Sequence, residues 1–302
     1  MTETDLDAMA ATLEASGRFR VQRRIERREQ LHADDGTAKK IGVIVDVETT
    51  GLDLIKDEII ELGMVLFEFS SDGRIFRLLD VVEAFQEPTI PILPEITQLT
   101  GITAEMVAGQ SIDVAEIERL IAPVALVIAH NAGFDRRFLE RLAPGFAKKA
   151  WACPINEIDW AAEGIGGTKL FSLLAQYGLF HDGHRAGADC LALLEILARP
   201  LPVSERLGLE QLLVNARCPT VRIWAEYAPF DYKDDLNRRG YKWNDGSDGT
   251  PKAWWIDVRE DALAAELTYL RDEIYRRDIT LPMQRMTAFE RYSSRGGEVV
   301  RA

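Results

Sequence analysis

Cysteine is scarce, with only Cys153, Cys190 and Cys218 in 302 residues. Three scattered thiols make neither a disulfide framework nor a zinc spacing, which points to a reducing cytoplasm. Long hydrophobic runs are also missing. No stretch approaches the ~18 consecutive apolar residues of a membrane-spanning helix, so no membrane partner is expected. The start, Met1-Thr2-Glu3-Thr4-Asp5, is acidic where a secretory leader would be basic, and no apolar segment follows it. There is no internal repeat and no low-complexity tract. What is present is a 47% hydrophobic, 28% charged chain, enough to bury a sizeable core and to exclude wholesale disorder. Its length suits two average domains or one large domain with attachments.

A net charge of −13 argues at first against a polyanionic partner. The charge is unevenly placed, however. Residues 1–40 carry 8 acids and 8 bases, residues 41–200 carry 24 and 12, and residues 201–302 carry 17 and 16. The acidity of the middle stretch is either solubilising surface or a set of carboxylates gathered around cations.

Residues 1–40 read as a partly mobile arm, with a short helix over Asp5–Glu14 and a basic run from Arg18 to Arg28. From Ile41 the pattern changes to an α/β domain with a mixed sheet, spanning residues 41–202. Ile41–Val45 is a continuously apolar run, as in a strand buried on both faces. Glu61–Ser70 and Arg74–Phe85 predict a hairpin turning at Asp72-Gly73. Further along, a helix over Asp113–Ile121, a strand over Val124–Ala129 and helices over Gly133–Leu142, Leu170–Tyr177 and Ala188–Ala198 are expected. Residues 203–302 predict a smaller α+β module: a strand from Val221, a helix over Tyr232–Arg239 stopped by Gly240, and two strands joined by the turn Asp245–Gly249. A charged helix over Glu260–Arg276 completes it.

The decisive segment is Ile41-Gly42-Val43-Ile44-Val45-Asp46-Val47-Glu48-Thr49-Thr50-Gly51. Two acids end a strand that otherwise reads as buried, and positions i and i+2 of a strand point to one side. Like charges there repel unless something positive sits between them, whether a divalent cation or a pair of arginines. A third acid, Asp135, opens a helix in His130-Asn131-Ala132-Gly133-Phe134-Asp135. Taken alone, it would be an ordinary complement to the helix dipole. A fourth, Asp189, sits in the first turn of a helix apolar on nearly every side, five residues after His184. Histidine is the residue type suited to proton transfer near neutral pH.

In order and in spacing, Asp-x-Glu-Thr-Thr-Gly, His-Asn-Ala-x-Phe-Asp and His-x-Ala-x-x-Asp closely resemble the three motifs of the DnaQ-like DEDDh 3′→5′ exonucleases, of the ribonuclease-H-like superfamily. Leu99-Thr100-Gly101-Ile102-Thr103 is similar to the segment linking the first two. The resemblance covers about residues 40–200. It implies that Asp46, Glu48, Asp135 and Asp189 hold two Mg²⁺ or Mn²⁺ ions, with Asp46 bridging, Glu48 and Asp189 completing one site and Asp135 the other. Two such ions activate an attacking water and stabilise the leaving oxygen of a phosphodiester. It further implies His184 as general base. Thr49, Thr50 and Gly51 would offer backbone amides to a terminal 3′-OH, Leu52 an apolar wedge to its base, and Asn131 an orienting amide. The implied activity is release of nucleoside 5′-monophosphates from single-stranded DNA ends, in proofreading or repair. The alternatives are an exoribonuclease of the RNase T or oligoribonuclease type, since these motifs do not encode rejection of a 2′-OH, and a polymerase accessory subunit acting by binding.

The C-terminal module interleaves basic and aromatic residues in Arg238-Arg239-Gly240-Tyr241-Lys242-Trp243 and Lys252-Ala253-Trp254-Trp255. That pattern suits single strands, and it equally suits a small core covered by long cationic stems. It resembles the C-terminal extension of a bacterial epsilon-like subgroup. Gln284–Phe289 only faintly resembles a sliding-clamp peptide, with Thr287 where Leu or Met is preferred. A polymerase partner therefore has no clean motif.

Overall fold

The computed structural model describes residues 3–246, 250–295 and 299–301. The central sheet has five strands: β1 (Lys39–Thr49), β2 (Ile59–Ser70), β3 (Ile75–Phe85), β4 (Val124–Ile128) and β5 (Trp151–Ala152), in the order β3-β2-β1-β4-β5. The first three pair antiparallel, while β4 and β5 run parallel to β1. This is the expected mixed sheet, with the Asp72-Gly73 hairpin where the sequence places it. β1 outlasts its apolar run by four residues, so Asp46 and Glu48 are strand residues with regular pairing to Gly63 and Glu61.

Helices cover both faces. Val43, Val45 and Val47 point into one core, packed by α1 (Val114–Ile121) and α2 (Ala132–Leu142). Ile44 points the other way, toward α3 (Leu170–Gln176), α4 (Ala186–Leu197) and α5 (Gly208–Arg217). α4 lies directly on β1 and β2. A Cβ on Gly63 would stand 2.3 Å from the Ala186 carbonyl carbon, so only glycine lets the helix start so close to the strand.

The segment read as an arm lies in part against this domain. Arg23–Arg24 pair in parallel with Leu179–Phe180, and Ile25 and Leu31 pack on the core behind α4. Arg28 forks onto the carboxylate of Glu195 at 2.9–3.0 Å. These anchors are single residues scattered through a basic run, too sparse to show a period.

The C-terminal module is a second antiparallel sheet, β10-β9-β6-β8-β7, built from β6 (Thr220–Ala225), β7 (Lys242–Asn244), β8 (Ala253–Arg259), β9 (Pro282–Met286) and β10 (Val300–Arg301). Val221, Ile223, Ala225, Trp254, Ile256 and Val258 face a core closed by α6 (Leu263–Tyr269). The charged helix departs from the expected single α-helix. It opens as a 3₁₀ turn and ends as a π-helical stretch over Leu270–Tyr275. Gln284–Met286 belong to β9, with Gln284 and Met286 buried, so this segment is sheet and not a free clamp-binding peptide. Of the expected turn Asp245–Gly249, residues 247–249 lie outside the described residues.

The module is joined to the first domain by polar contacts. The fully buried Arg136 of α2 donates to the carbonyls of Phe289 (2.7 Å) and Arg291 (2.6 Å) and to Glu140 (2.7 Å). The Trp151 amide donates to the Ala288 carbonyl at 2.8 Å, and Arg291 pairs with the buried Glu157.

Candidate active site

Strand parity determines where the first two acids point. With Val43, Val45 and Val47 committed to the α2 side, Asp46 and Glu48 continue the Ile44 face, beneath the N-terminus of α4. Asp189, in the first turn of that helix, meets them there. One carboxylate oxygen from each of Asp46, Glu48 and Asp189 lies within 4.8 Å of the other two, an arrangement that could hold a metal ion. Asp135 arrives from the opposite layer, in the first turn of α2 just past the end of β4. Its Oδ1 accepts the Val47 amide at 3.2 Å, placing it behind Asp46. The four acids thus converge at the carboxyl ends of the parallel pair β1 and β4, the usual location of a ligand crevice in such sheets.

Burial raises the proton affinity of Asp46, Glu48 and Asp135, and neighbouring carboxylates add to it at the first two. Asp46 is held well above the usual carboxylate range, first by burial and then by Asp135, Asp189, Glu48 and Glu61. Glu48 is pushed up to about 7 by burial, then by Asp189 and Glu61, with only Arg185 opposing. Asp135 also rises to about 7 through burial, against its hydrogen bonds from backbone amides. Arg185 is itself committed to Glu61 at 2.9 Å. Four acids sharing one engaged guanidinium are therefore short of positive charge. Hard divalent cations with oxygen ligands match that deficit, so the residues present fit such ions.

A stability prediction follows. Carboxyls whose folded pKa is raised stabilise the fold while protonated, below the unfolded values near 4, and lose that contribution as pH climbs through about 7. Melting of the EDTA-treated protein should therefore shift to lower temperature between pH 5 and pH 8. Added Mg²⁺ or Mn²⁺ should raise the Tm more at pH 8 than at pH 6. A metal shift independent of pH in differential scanning fluorimetry would contradict this account.

The remaining expected residues are placed as follows. Thr49 Oγ1 donates to the Gly51 carbonyl at 2.6 Å, and Thr50 Oγ1 donates to Asp57 at 3.0 Å. The Thr50 amide is taken by the Glu58 carbonyl at 2.9 Å and is not free as a donor. The strand pairing thus runs one residue further than the motif shows. The Gly51 and Leu52 amides have no partner among the described residues. A Cβ on Gly51 would stand 2.5 Å from an Asp57 oxygen, so a side chain there would displace the Asp57 carboxylate. Leu52 is 83% exposed, four residues after Glu48, and Asn131 is exposed just before α2.

His184 sits on the loop before α4 with a left-handed backbone (φ 64°). Its amide, and not its ring, reaches Asp189, at 3.1 Å from Oδ2; the ring side is exposed. The imidazole that touches Asp189 is that of His181, whose Nε2 bonds Oδ1 from a nearly buried ring. Sequence reasoning missed His181, and it also missed Glu61, which takes the Arg185 guanidinium and the Ala186 amide (3.0 Å) and so anchors the loop. The signal for Glu61 was a lone acid in the apolar run Ile59-Ile60-Glu61-Leu62; nothing comparable marked His181.

The motif acids lie within a segment that matches a known family. Residues 43–197, about half of the chain, match the RNase T-type family model described as "Exonuclease". Among curated relatives, DNA polymerase III PolC-type of Caldanaerobacter subterraneus is 31% identical over 177 residues, which is 56% of this chain and 12% of that protein. PolC-type polymerase of Bacillus subtilis is 41% identical over 99 residues, 32% of this chain and 6% of that one. The chain thus spans only about an eighth or less of these relatives. Among solved structures, exonuclease X in complex with 5′ overhanging duplex DNA aligns at TM-score 0.40 and 24% identity, over 56% of this chain and 99% of that one. E. coli exonuclease I in complex with a dA16 oligonucleotide aligns at 0.49 and 14%, over 78% and 71%. With all four motif acids brought to one crevice and the family model spanning them, the chain belongs to the exonuclease family, as a DnaQ-like DEDDh member of the ribonuclease-H-like superfamily.

Proposed function

We propose that this exonuclease is a metal-dependent 3′→5′ enzyme that hydrolyses single-stranded DNA ends to nucleoside 5′-monophosphates. The observation carrying this reading is the convergence of Asp46, Glu48 and Asp189 within 4.8 Å, backed by Asp135. Bound there, two divalent ions would supply a water nucleophile at neutral pH and neutralise charge on the phosphodiester. Asp46 would serve both ions, Glu48 and Asp189 one, and Asp135 the other.

The rest of the work falls to the chain. The Gly51 and Leu52 amides are the donors available to a terminal 3′-OH, on a turn that Asp57 clamps by accepting the Asp53 amide at 2.7 Å. The exposed Leu52 side chain would wedge against the last base. His184 would take the proton from the attacking water, on a loop whose amide is tied to Asp189, while Glu61 and Arg185 hold the base of that loop. His181 fixes one oxygen of Asp189 and thereby orients the other.

A seat for a free 3′-OH requires a 3′ terminus. Closed circular single strands and 3′-phosphorylated oligonucleotides should therefore resist digestion, whereas linear strands are shortened from the 3′ end. End-labelled DNA, RNA and mismatched duplexes, digested with Mg²⁺ or Mn²⁺ and resolved on gels, test direction and substrate together. Efficient cutting of the circle would instead make the chain an endonuclease.

A further inference from the structure

The module's sheet has two unlike faces. One is apolar and closed by α6. The other is set by cross-strand pairs: Trp255 stands opposite both Trp224 and Lys242, Asp257 opposite Arg222, and Arg259 opposite Thr220. Residues directly opposite across a ladder share a face, so these side chains form one surface. It does not open to bulk solvent on all sides. It forms one wall of a groove of about 970 Å³ whose other wall is the exonuclease domain, at Asn131, Gly133 and Arg137 of α2 and at Asn156 and Asn215.

Three properties of this groove point to its occupant. First, its charge is opposite to that of the molecule. Among the described residues that line it, five carry positive charge and three negative, in a chain of net charge −13. Second, part of that positive charge is unspent. The side chains of Arg137 and Lys242 make no ion pair or hydrogen bond among the described residues, and the Lys242 ammonium is held only over the Trp255 ring, at 5.4 Å. Thr220 Oγ1, on the same surface, is buried without a partner. Third, the surface carries a stacking element. The Arg222 guanidinium lies 4.0 Å from the Trp255 ring centre, held there by a two-point bond to Asp257 at 2.7 and 2.8 Å. Unpaired cations beside an aromatic–guanidinium stack are the chemistry that binds phosphates and bases of single strands. Position agrees as well, since the groove begins at Asn131 and Gly133, in the turn of α2 that carries Asp135.

We infer that the polar face of the C-terminal sheet and Arg137 form a track for single-stranded nucleic acid, gripping the strand upstream of the end held at the acid cluster. The inference rests on the nuclease reading for its orientation, but its binding arm can be measured without turnover. A folded-back duplex does not fit the role, because stacking on Trp255 and Arg222 needs unpaired bases.

The test uses the full chain in EDTA, with fluorescence anisotropy of a labelled oligothymidylate of about twelve nucleotides. In parallel, the p-nitrophenyl ester of thymidine 5′-monophosphate, too short to reach from the acid cluster into the groove, is hydrolysed with Mn²⁺. For the double variant Arg137→Ala/Lys242→Ala, ester hydrolysis should match wild type. Its Kd for the oligonucleotide should loosen by about tenfold, and the slope of log K against log salt should fall by about 1.4, the value for two lost single-strand phosphate contacts. Trp255→Ala should also loosen binding by about tenfold and Trp255→Tyr should restore it. Unchanged affinity and salt slope in the double variant would overturn the track and leave the groove to a protein partner. Loss of ester hydrolysis in that variant would also overturn it, since these cations would then serve the acid cluster. A wild type that binds the oligonucleotide through these residues yet hydrolyses nothing would defeat the nuclease reading alone.

Discussion

Asp46→Asn is expected to abolish turnover while making the metal-free protein more heat-stable. The substitution keeps the shape of the side chain and removes the charge at the centre of the cluster. Asp46 is the acid most disfavoured as an anion, with burial and four neighbouring carboxylates all acting against it. In the proposed function it is also the ligand shared by both ions. Its loss removes several kcal/mol of transition-state stabilisation, at least about a thousandfold in kcat/KM. The stability effect runs in the opposite direction. An uncharged amide relieves Glu48, Asp135 and Asp189 of one like charge, so the Tm in EDTA at pH 8 should rise, and the gain on adding Mg²⁺ should shrink. The paired measurement matters because a misfolded variant would lose both. Activity within tenfold of wild type, or wild-type turnover in excess EDTA, would sink the two-metal assignment.

Replacing His184 should produce the second-largest loss, about 10²–10⁴-fold in kcat, the range for removal of a general base. The structure dictates which substitution is informative. With φ at 64°, His184 occupies a left-handed conformation that costs an alanine roughly 1–2 kcal/mol and costs glycine or asparagine little. His184→Gly and His184→Asn therefore remove the ring while keeping the turn and the hydrogen bond that the residue-184 amide donates to Asp189. Both should leave the metal-dependent Tm shift intact and depress single-turnover cleavage at saturating Mg²⁺. If both stay within about threefold of wild type, His184 is a loop residue and nothing more.

The local signals carried most of the catalytic geometry. An apolar run followed by acids at i and i+2 was sufficient to place Asp46 and Glu48 on one side of a buried strand. The hairpin and the helices after Asn131 and Arg185 followed from turn residues and period. What the sequence could not supply was pairing at a distance. Glu61 looked like an acid misplaced in a buried strand because its partners, Arg185 and the Ala186 amide, lie some 124 residues away. His181 had no motif to announce it, since its partner Asp189 was already assigned a role. The interleaved tryptophans and cations of the module admitted two readings. Strand register divides them, sending Trp254 to the core and Trp255 to the groove, and a one-residue slip would have exchanged them.

Arg136 changes what counts as a minimal enzyme. The second sheet begins only at Thr220, after α5 has packed on the first core, and a shorter catalytic fragment ending between the two would be an obvious product for recombinant expression. Its guanidinium, however, has no exposed surface, and two of its acceptors are main-chain carbonyls at Phe289 and Arg291. Cutting the chain at that boundary would strip these acceptors from a buried guanidinium that keeps only Glu140, a defect of about 1–3 kcal/mol for each buried donor left unmet. Glu157 would lose Arg291 in the same cut. The portable unit for transplantation or fusion is therefore the whole two-sheet body, because the segment that follows β9 completes the interior of the first domain.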